Sequence, residues 1–212
     1  MMMMFMGERA DCARSSEPNP LALASGFINI VVRQSKGDPE PMSISMYTAS
    51  VPVFTKTLGN MLRWVDKAKA HAEEKKFDPA VYPTLRLAPD MLPLPAQIRI
   101  AGDTAKGCAA RLAGKEAPVF EDNETTLEQL RERISKTLAY LETVSPKDID
   151  GSEEREIVIP ARNREPRRFK GEYYLKHWAL PNFFFHATTL YALLRHNGVE
   201  LGKADFLGPQ AD

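Results

Sequence analysis

Pro181-Asn182-Phe183-Phe184-Phe185-His186-Ala187-Thr188-Thr189-Leu190-Tyr191, running on into Leu194-Arg195-His196-Asn197-Gly198, decides the fold of this chain. Its side chains are apolar on nearly every side of the helix they encode, and a helix of that kind belongs inside a domain. Asn182 and His186 lie one turn apart and share a face. Two polar groups in that setting need partners, a ligand or a water. They are the one place where the sequence points to a site, since no complete catalytic signature occurs anywhere in the chain.

Upstream, the helical period recurs three times. A first helix is expected over 47–72, with Pro52 tolerable only in its opening turn and Phe54, Leu58, Met61, Leu62 and Val65 as its apolar stripe. A connection over 77–95 follows, where Pro79, Pro83, Pro89 and Pro93 permit only short helical turns. The second helix spans 94–113 and stops at Gly114, a residue suited to a left-handed cap. Leu94, Ile98, Ala101, Ala105, Cys108, Ala109 and Leu112 share one of its faces, and these mostly small side chains let a neighbouring helix come close. The third helix opens at Thr125-Thr126-Leu127-Glu128, where Thr125 and Glu128 read as a capping box. Leu127, Leu130, Ile134, Leu138 and Leu141 form its stripe, and Val144-Ser145-Pro146 ends it.

Then the period changes. Glu156-Ile157-Val158-Ile159 and Arg168-Phe169-Lys170 read as two strands of a hairpin joined through 160–166. The last helix covers 173–196, kinked near Pro181. The fold class is therefore mainly all-α: a four-helix bundle with a small β-hairpin inserted before the last helix. There is no internal repeat.

Residues 1–41 differ in character from the rest. Repeated methionines open them, and Ser15-Ser16-Glu17-Pro18-Asn19-Pro20 and Lys36-Gly37-Asp38-Pro39-Glu40-Pro41 punctuate them. They are expected to be a disordered or mis-started leader that packs little on the bundle, with the folded domain over 42–208 and a tail over 209–212. Whether translation starts at Met1 or Met42 is open. The stretch 21–32 resembles the apolar core of a signal peptide, but no basic segment precedes it and no cleavage motif follows.

Twenty-eight Lys and Arg balance 28 Asp and Glu, and 43% of residues are hydrophobic. That leaves ample material for a core and no basic excess for nucleic acid. Arg162, Arg164, Arg167 and Arg168 cluster, yet Glu153, Glu154, Glu156 and Glu165 lie close by, so a solvated hairpin surface is expected there. The two cysteines, Cys12 and Cys108, make no disulfide framework, which fits a reducing cytoplasmic setting. No apolar run is long enough to span a bilayer.

The bundle resembles the DinB/YfiT-like clan, and within it an uncharacterised domain-of-unknown-function family. The resemblance is carried by Met46-Tyr47 with Ser50-Val51-Pro52-Val53-Phe54, and by Arg86-Leu87-Ala88-Pro89-Asp90-Met91 with Pro93-Leu94. Ala110-Arg111-Leu112-Ala113-Gly114, residues 180–186 and Leu201-Gly202-Lys203-Ala204-Asp205-Phe206-Leu207-Gly208 extend it over 42–208. The resemblance implies a fold of four helices. It also implies a comparison with clan members that hold a divalent metal with three histidines, one on the second helix and two, as H-x-x-x-H, on the last. Counted back from the Leu-Arg-x-x-Gly ending, His186 falls on the second histidine of that pair and Asn182 on the first. Gln97 is the second-helix counterpart, whereas Asp103 points away from that face. Amide oxygens are poor ligands for zinc or nickel beside imidazole. A degenerate metal site is expected, with Gln97, Asn182 and His186 satisfying one another in a polar pocket.

For His186 three readings stand: a hydrogen-bonded core histidine, a ligand-pocket residue, or a metal ligand with Gln97 and Asn182 as weak partners. Arg86 and Asp90 are expected to pair and tie down the Pro-rich connection; if Arg86 instead entered the pocket it could grip a carboxylate. His71 and His196 are expected to be exposed near helix ends, His177 to be structural or interfacial, and Phe183 to Phe185 to be core. Two functions follow: a non-catalytic module, expected as a homodimer, that binds a small molecule or a partner; or a metal-dependent thiol transferase or hydrolase with zinc or nickel.

Overall fold

The computed structural model describes residues 44–161 and 165–210. The leader expected over 1–41, the centre of the hairpin loop and the last two residues lie outside the described residues.

α1 (Val51–Lys75) starts after a turn over 47–50, four residues later than the sequence suggests, and Pro52 falls in its first turn, where a missing N–H costs nothing. Phe54, Leu58 and Met61 are fully buried, with Val65 close behind; Leu62 is half-buried, and Trp64 takes the inward position instead. The Pro-rich connection makes a single short 3₁₀ helix, Pro79–Thr84, capped by Asp78, whose carboxylate accepts from the Ala80 N–H at 2.9 Å.

α2 (Leu94–Ala113) ends at Gly114 in the left-handed conformation, φ 66°. Its small inward residues Ala101, Ala105, Cys108 and Ala109 are all sealed from solvent. Gly102 faces α3 (Leu127–Glu142) closely enough that a Cβ there would stand 3.1 Å from the Thr137 hydroxyl. The capping box of α3 lies one residue later than Thr125 and Glu128. Thr126 Oγ1 accepts from the Gln129 N–H at 3.2 Å, and Gln129 Oε1 accepts in return from the N–H groups of Thr126 and Thr125. Gln129 can serve both threonines, which frees Glu128 to pair with Lys69 on α1 at 3.2 Å.

After the short α4 (Pro146–Ile149), β1 (Glu156–Ile159) and β2 (Arg167–Lys170) pair antiparallel with Ile157 opposite Phe169. Ile157 is buried beneath the hairpin while Val158 faces out, the alternation of a two-stranded sheet with one covered face. The chain then turns directly into α5 (Gly171–Tyr174), a π-turn (Leu175–Ala179) and α6 (Leu180–His196). The expected kink near Pro181 is this π-turn. Proline has no N–H to give the His177 carbonyl, and the ladder shifts there to an i→i+5 bond, with Leu180 N–H donating to the Leu175 carbonyl.

The four long helical segments make a ring in which α1 packs on α3, α3 on α2, α2 on α6 and α6 on α1. α7 (Lys203–Leu207) folds back on α1, where Phe206 stacks on Trp64 at 5.4 Å between ring centroids and Trp64 Nε1 donates to the Asp205 carbonyl. Of the three phenylalanines in the opening stretch, Phe183 is core, Phe184 half-buried and Phe185 56% exposed, so α6 is enclosed on three sides and open on the fourth. Among the described residues no helix is long and apolar enough to cross a membrane.

Candidate functional site

The seam between α2 and α6 carries the polar groups the sequence points to. Gln97 is 1% exposed and His186 8%. Gln97 Nε2 donates to the Leu92 carbonyl at 2.8 Å, which turns its amide oxygen toward α6. His186 Nδ1 lies 2.8 Å from that oxygen and, facing an acceptor, must carry the proton. The imidazole is thereby held as the neutral Nδ1–H tautomer, and burial pushes its pKa below the ordinary 6.5. Nε2 is left as a bare acceptor. It has no partner among the described residues, in a residue that is 8% exposed.

Asn182 does not join this pair. It is half-buried, and its Nδ2 donates to Thr104 Oγ1 at 2.9 Å. The separation follows from the helices. α2 and α6 run antiparallel, and Gln97 and Thr104 are two turns apart, roughly 10 Å along the α2 axis. A side chain one turn back from His186 therefore meets the far rung and cannot reach Gln97. Between them, one turn after Gln97, α2 offers only the methyl of Ala101. The seam is two separate rungs, Gln97–His186 and Thr104–Asn182, and no three-way cluster forms. Thr104 was open to discovery in the sequence: its heptad spacing from Gln97 returns it to the same face.

Arg86 and Asp90 are both exposed and away from these rungs. They make no ion pair with each other; Arg86 Nη1 donates to the Met91 carbonyl at 2.6 Å and holds the loop by its backbone. Only four residues of non-helical chain separate Arg86 from Met91, which puts the Met91 carbonyl within reach of the guanidinium. Of the other histidines, His71 is half-buried and bonded to the Tyr82 hydroxyl at 2.7 Å, where an exposed helix-end residue was expected. His196 is exposed, and His177 is exposed with its ring 4.5 Å from that of Tyr173.

Asp103 turns to a second polar cluster, one the sequence did not reveal. Arg133 on α3 has a side chain only 2% exposed, and it donates to Asp103 at 2.9 Å, Glu124 at 2.9 Å, Asp122 at 3.1 Å and the Glu121 carbonyl at 2.9 Å. Arg99 doubles the hold on Glu124, while Lys106 and Arg133 both lie over the Phe120 ring. Burial works against the Glu124 carboxylate, but hydrogen bonds from its own backbone, Arg99 and Arg133 outweigh it and lower the pKa. This network clamps the loop 115–126 across α2 and α3. The spaced charges of Arg99, Asp103, Lys106 and Arg133 look like a solvated helix surface in the sequence, because the loop that covers them has no period of its own.

With this geometry in view, the comparisons decide the family. A model described as a domain of unknown function, DUF1993, matches residues 46–207. The chain belongs to the DUF1993 family. The DUF1993 chain is also similar to a DinB family member protein from Shewanella denitrificans, known from a crystal structure. The two are 43% identical over 77% of this chain and 92% of that one, with a TM-score of 0.71. No curated protein matches the chain. The fold is thus DinB-like, mainly helical with the hairpin ahead of the last helix.

The tripodal metal of the DinB-like clan can be tested against these donors. This DUF1993 chain offers one imidazole nitrogen at His186, an amide oxygen at Gln97 already accepting from that imidazole, and an Asn182 engaged on the other rung. Among the described residues no three His, Cys, Asp or Glu side chains are grouped to hold an ion. Catalytic zinc takes three protein ligands. The residues present do not fit it.

Proposed function

We propose that this protein is a non-catalytic binding module of DinB-like fold, in which a degenerate metal position between α2 and α6 serves as a polar contact for a small molecule or a partner. The observation that carries the reading is the commitment of His186 Nδ1 to Gln97, which leaves a single imidazole nitrogen where a metal site needs three donors. Loss of even an outer-shell partner weakens metal binding ~10–100-fold, so loss of two of three imidazoles removes tight binding altogether. What remains suits a different task. Nε2 of a neutral, orientation-locked imidazole accepts one hydrogen bond from an N–H or O–H, and the exposed ring of Phe185 stands beside it at 5.2 Å between centroids.

Elemental analysis of protein purified without chelator tests this, followed by thermal melts with added zinc or nickel. Far less than one equivalent of metal and no upward shift in Tm are expected. One equivalent that co-purifies and raises the Tm would overturn the reading and favour a metal-dependent thiol transferase or hydrolase.

A homodimer is proposed as the working form. Support comes from apolar side chains left at the surface, Phe185 and Tyr173 each 56% exposed and Leu92 51%. Light scattering after gel filtration should give twice the mass of the chain; the mass of one chain would contradict it. A cytoplasmic location is proposed from the cysteine usage.

A further inference from the structure

The buried positions of the last helical segment do not keep one helical period. Counting back from Leu190 in α6 at 3.6 residues per turn, the inward positions fall near 186, 183 and 179, and His186, Phe183 and Ala179 are indeed buried. Continued without interruption, the same count turns 172 and the boundary of 175 and 176 inward. Position 172 carries Glu172, and the other count falls between buried Leu175 and exposed Lys176; Glu172 and Lys176 are both exposed and paired with each other. The residues actually buried are Leu175, Tyr174 and Gly171, so the inward face runs up to one residue ahead of the count. From Leu175 to Phe183 is eight residues, where two α-turns take about seven. The extra residue is absorbed by the π-turn.

Each half has its own anchor. Gly171 lies so close to the preceding turn that a Cβ would collide with the Ser152 carbonyl oxygen, and the Glu172 N–H donates to the Glu153 carbonyl at 2.9 Å. The other half is fixed to α2 by Asn182 on Thr104 and His186 on Gln97. Pro181 explains where the surplus sits: the helical ladder already lacks a donor there, so an extra residue just before it breaks least.

We propose that Leu175–Ala179 is a one-residue insertion acting as a register joint. It holds the α2–α6 seam in phase while the hairpin end of the helix stays seated on the turn at 152–153. A joint of this kind can lose one residue and close into a plain α-helix with both anchors still in phase. A deletion beyond both anchors, in the regular part of α6, has no surplus residue to draw on.

Three single deletions test the joint: Lys176, His177 and, as the control, Thr188. The first two are exposed residues of the π-turn, and Thr188 is an exposed residue of α6. Thermal melts give the stability, and the His186 Nδ1–H resonance reports the seam. The proposal expects at least one π-turn deletion to melt nearer the parent than the Thr188 deletion does, and to keep the resonance in place. Using both guards against side-chain effects, because Lys176 pairs with Glu172 and His177 packs on Tyr173. If both π-turn deletions lose as much stability as the Thr188 deletion, or lose the His186 resonance, the π-turn is not a joint. These readouts concern register alone and do not depend on what, if anything, the seam binds.

Discussion

Burial holds the His186 imidazole below its ordinary pKa, and the consequence is a stability that depends on pH in a definable window. In the unfolded chain the ring takes a proton as the pH falls through about 6.5, whereas the folded ring resists. Protons bound only by the unfolded state favour unfolding. The contribution of His186 is therefore complete above about 6.5 and declines as the pH drops toward the lower, folded pKa. Melting between about pH 7 and 5.5 should show a falling Tm that flattens in His186→Gln. An unchanged slope would assign the effect elsewhere. His186→Ala should cost about 1–3 kcal/mol, since it orphans the Gln97 amide oxygen in a buried seam. In a domain of this size that is roughly 2–4 °C per kcal/mol. The His186 environment was readable from helical spacing, as an inward polar residue on an apolar helix. Its partnership with Gln97 to the exclusion of Asn182 was not, because helix wheels give faces and carry no information on how far along its axis one helix meets another.

At the scale of elements, the loop at 115–126 is held by Arg133 more than by its own sequence. Arg133→Ala leaves Glu124 buried with only Arg99 to compensate it, and loss of one partner from such a network costs about 3–5 kcal/mol. The double change Arg133→Met with Glu124→Gln should recover much of that loss, as measured by urea unfolding; failure to recover any would mean the guanidinium's stacking on Phe120 and its bonds to Asp103 and Asp122 matter more than its pairing with Glu124. Gly171→Ala presses a methyl against the Ser152 carbonyl and should cost about 1–3 kcal/mol, read in the same experiment. Helix existence, the Gly114 stop and the hairpin were legible because period, cap and alternation are local. The late start of α1, the capping box at Thr126 and Gln129, and the π-turn were not. Each is settled by a tertiary demand: the turn at 47–50, the pairing of Glu128 with Lys69, the seating of Gly171.

At the scale of the molecule, the bundle assembles because four apolar stripes find one another, and the small face of α2 lets α3 and α6 approach it from two sides. That closeness makes the seam narrow and pairs its polar groups rung by rung, with only the Nε2 of His186 left over. The DinB-like family resemblance carried the fold from sequence, since the apolar pattern spans nearly the whole matched length. It did not carry a chemistry, because two of three expected imidazoles are amides and the geometry gives each amide a different partner. Long-range ¹H–¹⁵N correlation of the histidine ring nitrogens, with zinc added to one equivalent, tests this directly. The account predicts His186 neutral and protonated on Nδ1, with both ring resonances unmoved by zinc. A His186 Nε2 that shifts stoichiometrically with added zinc would contradict it.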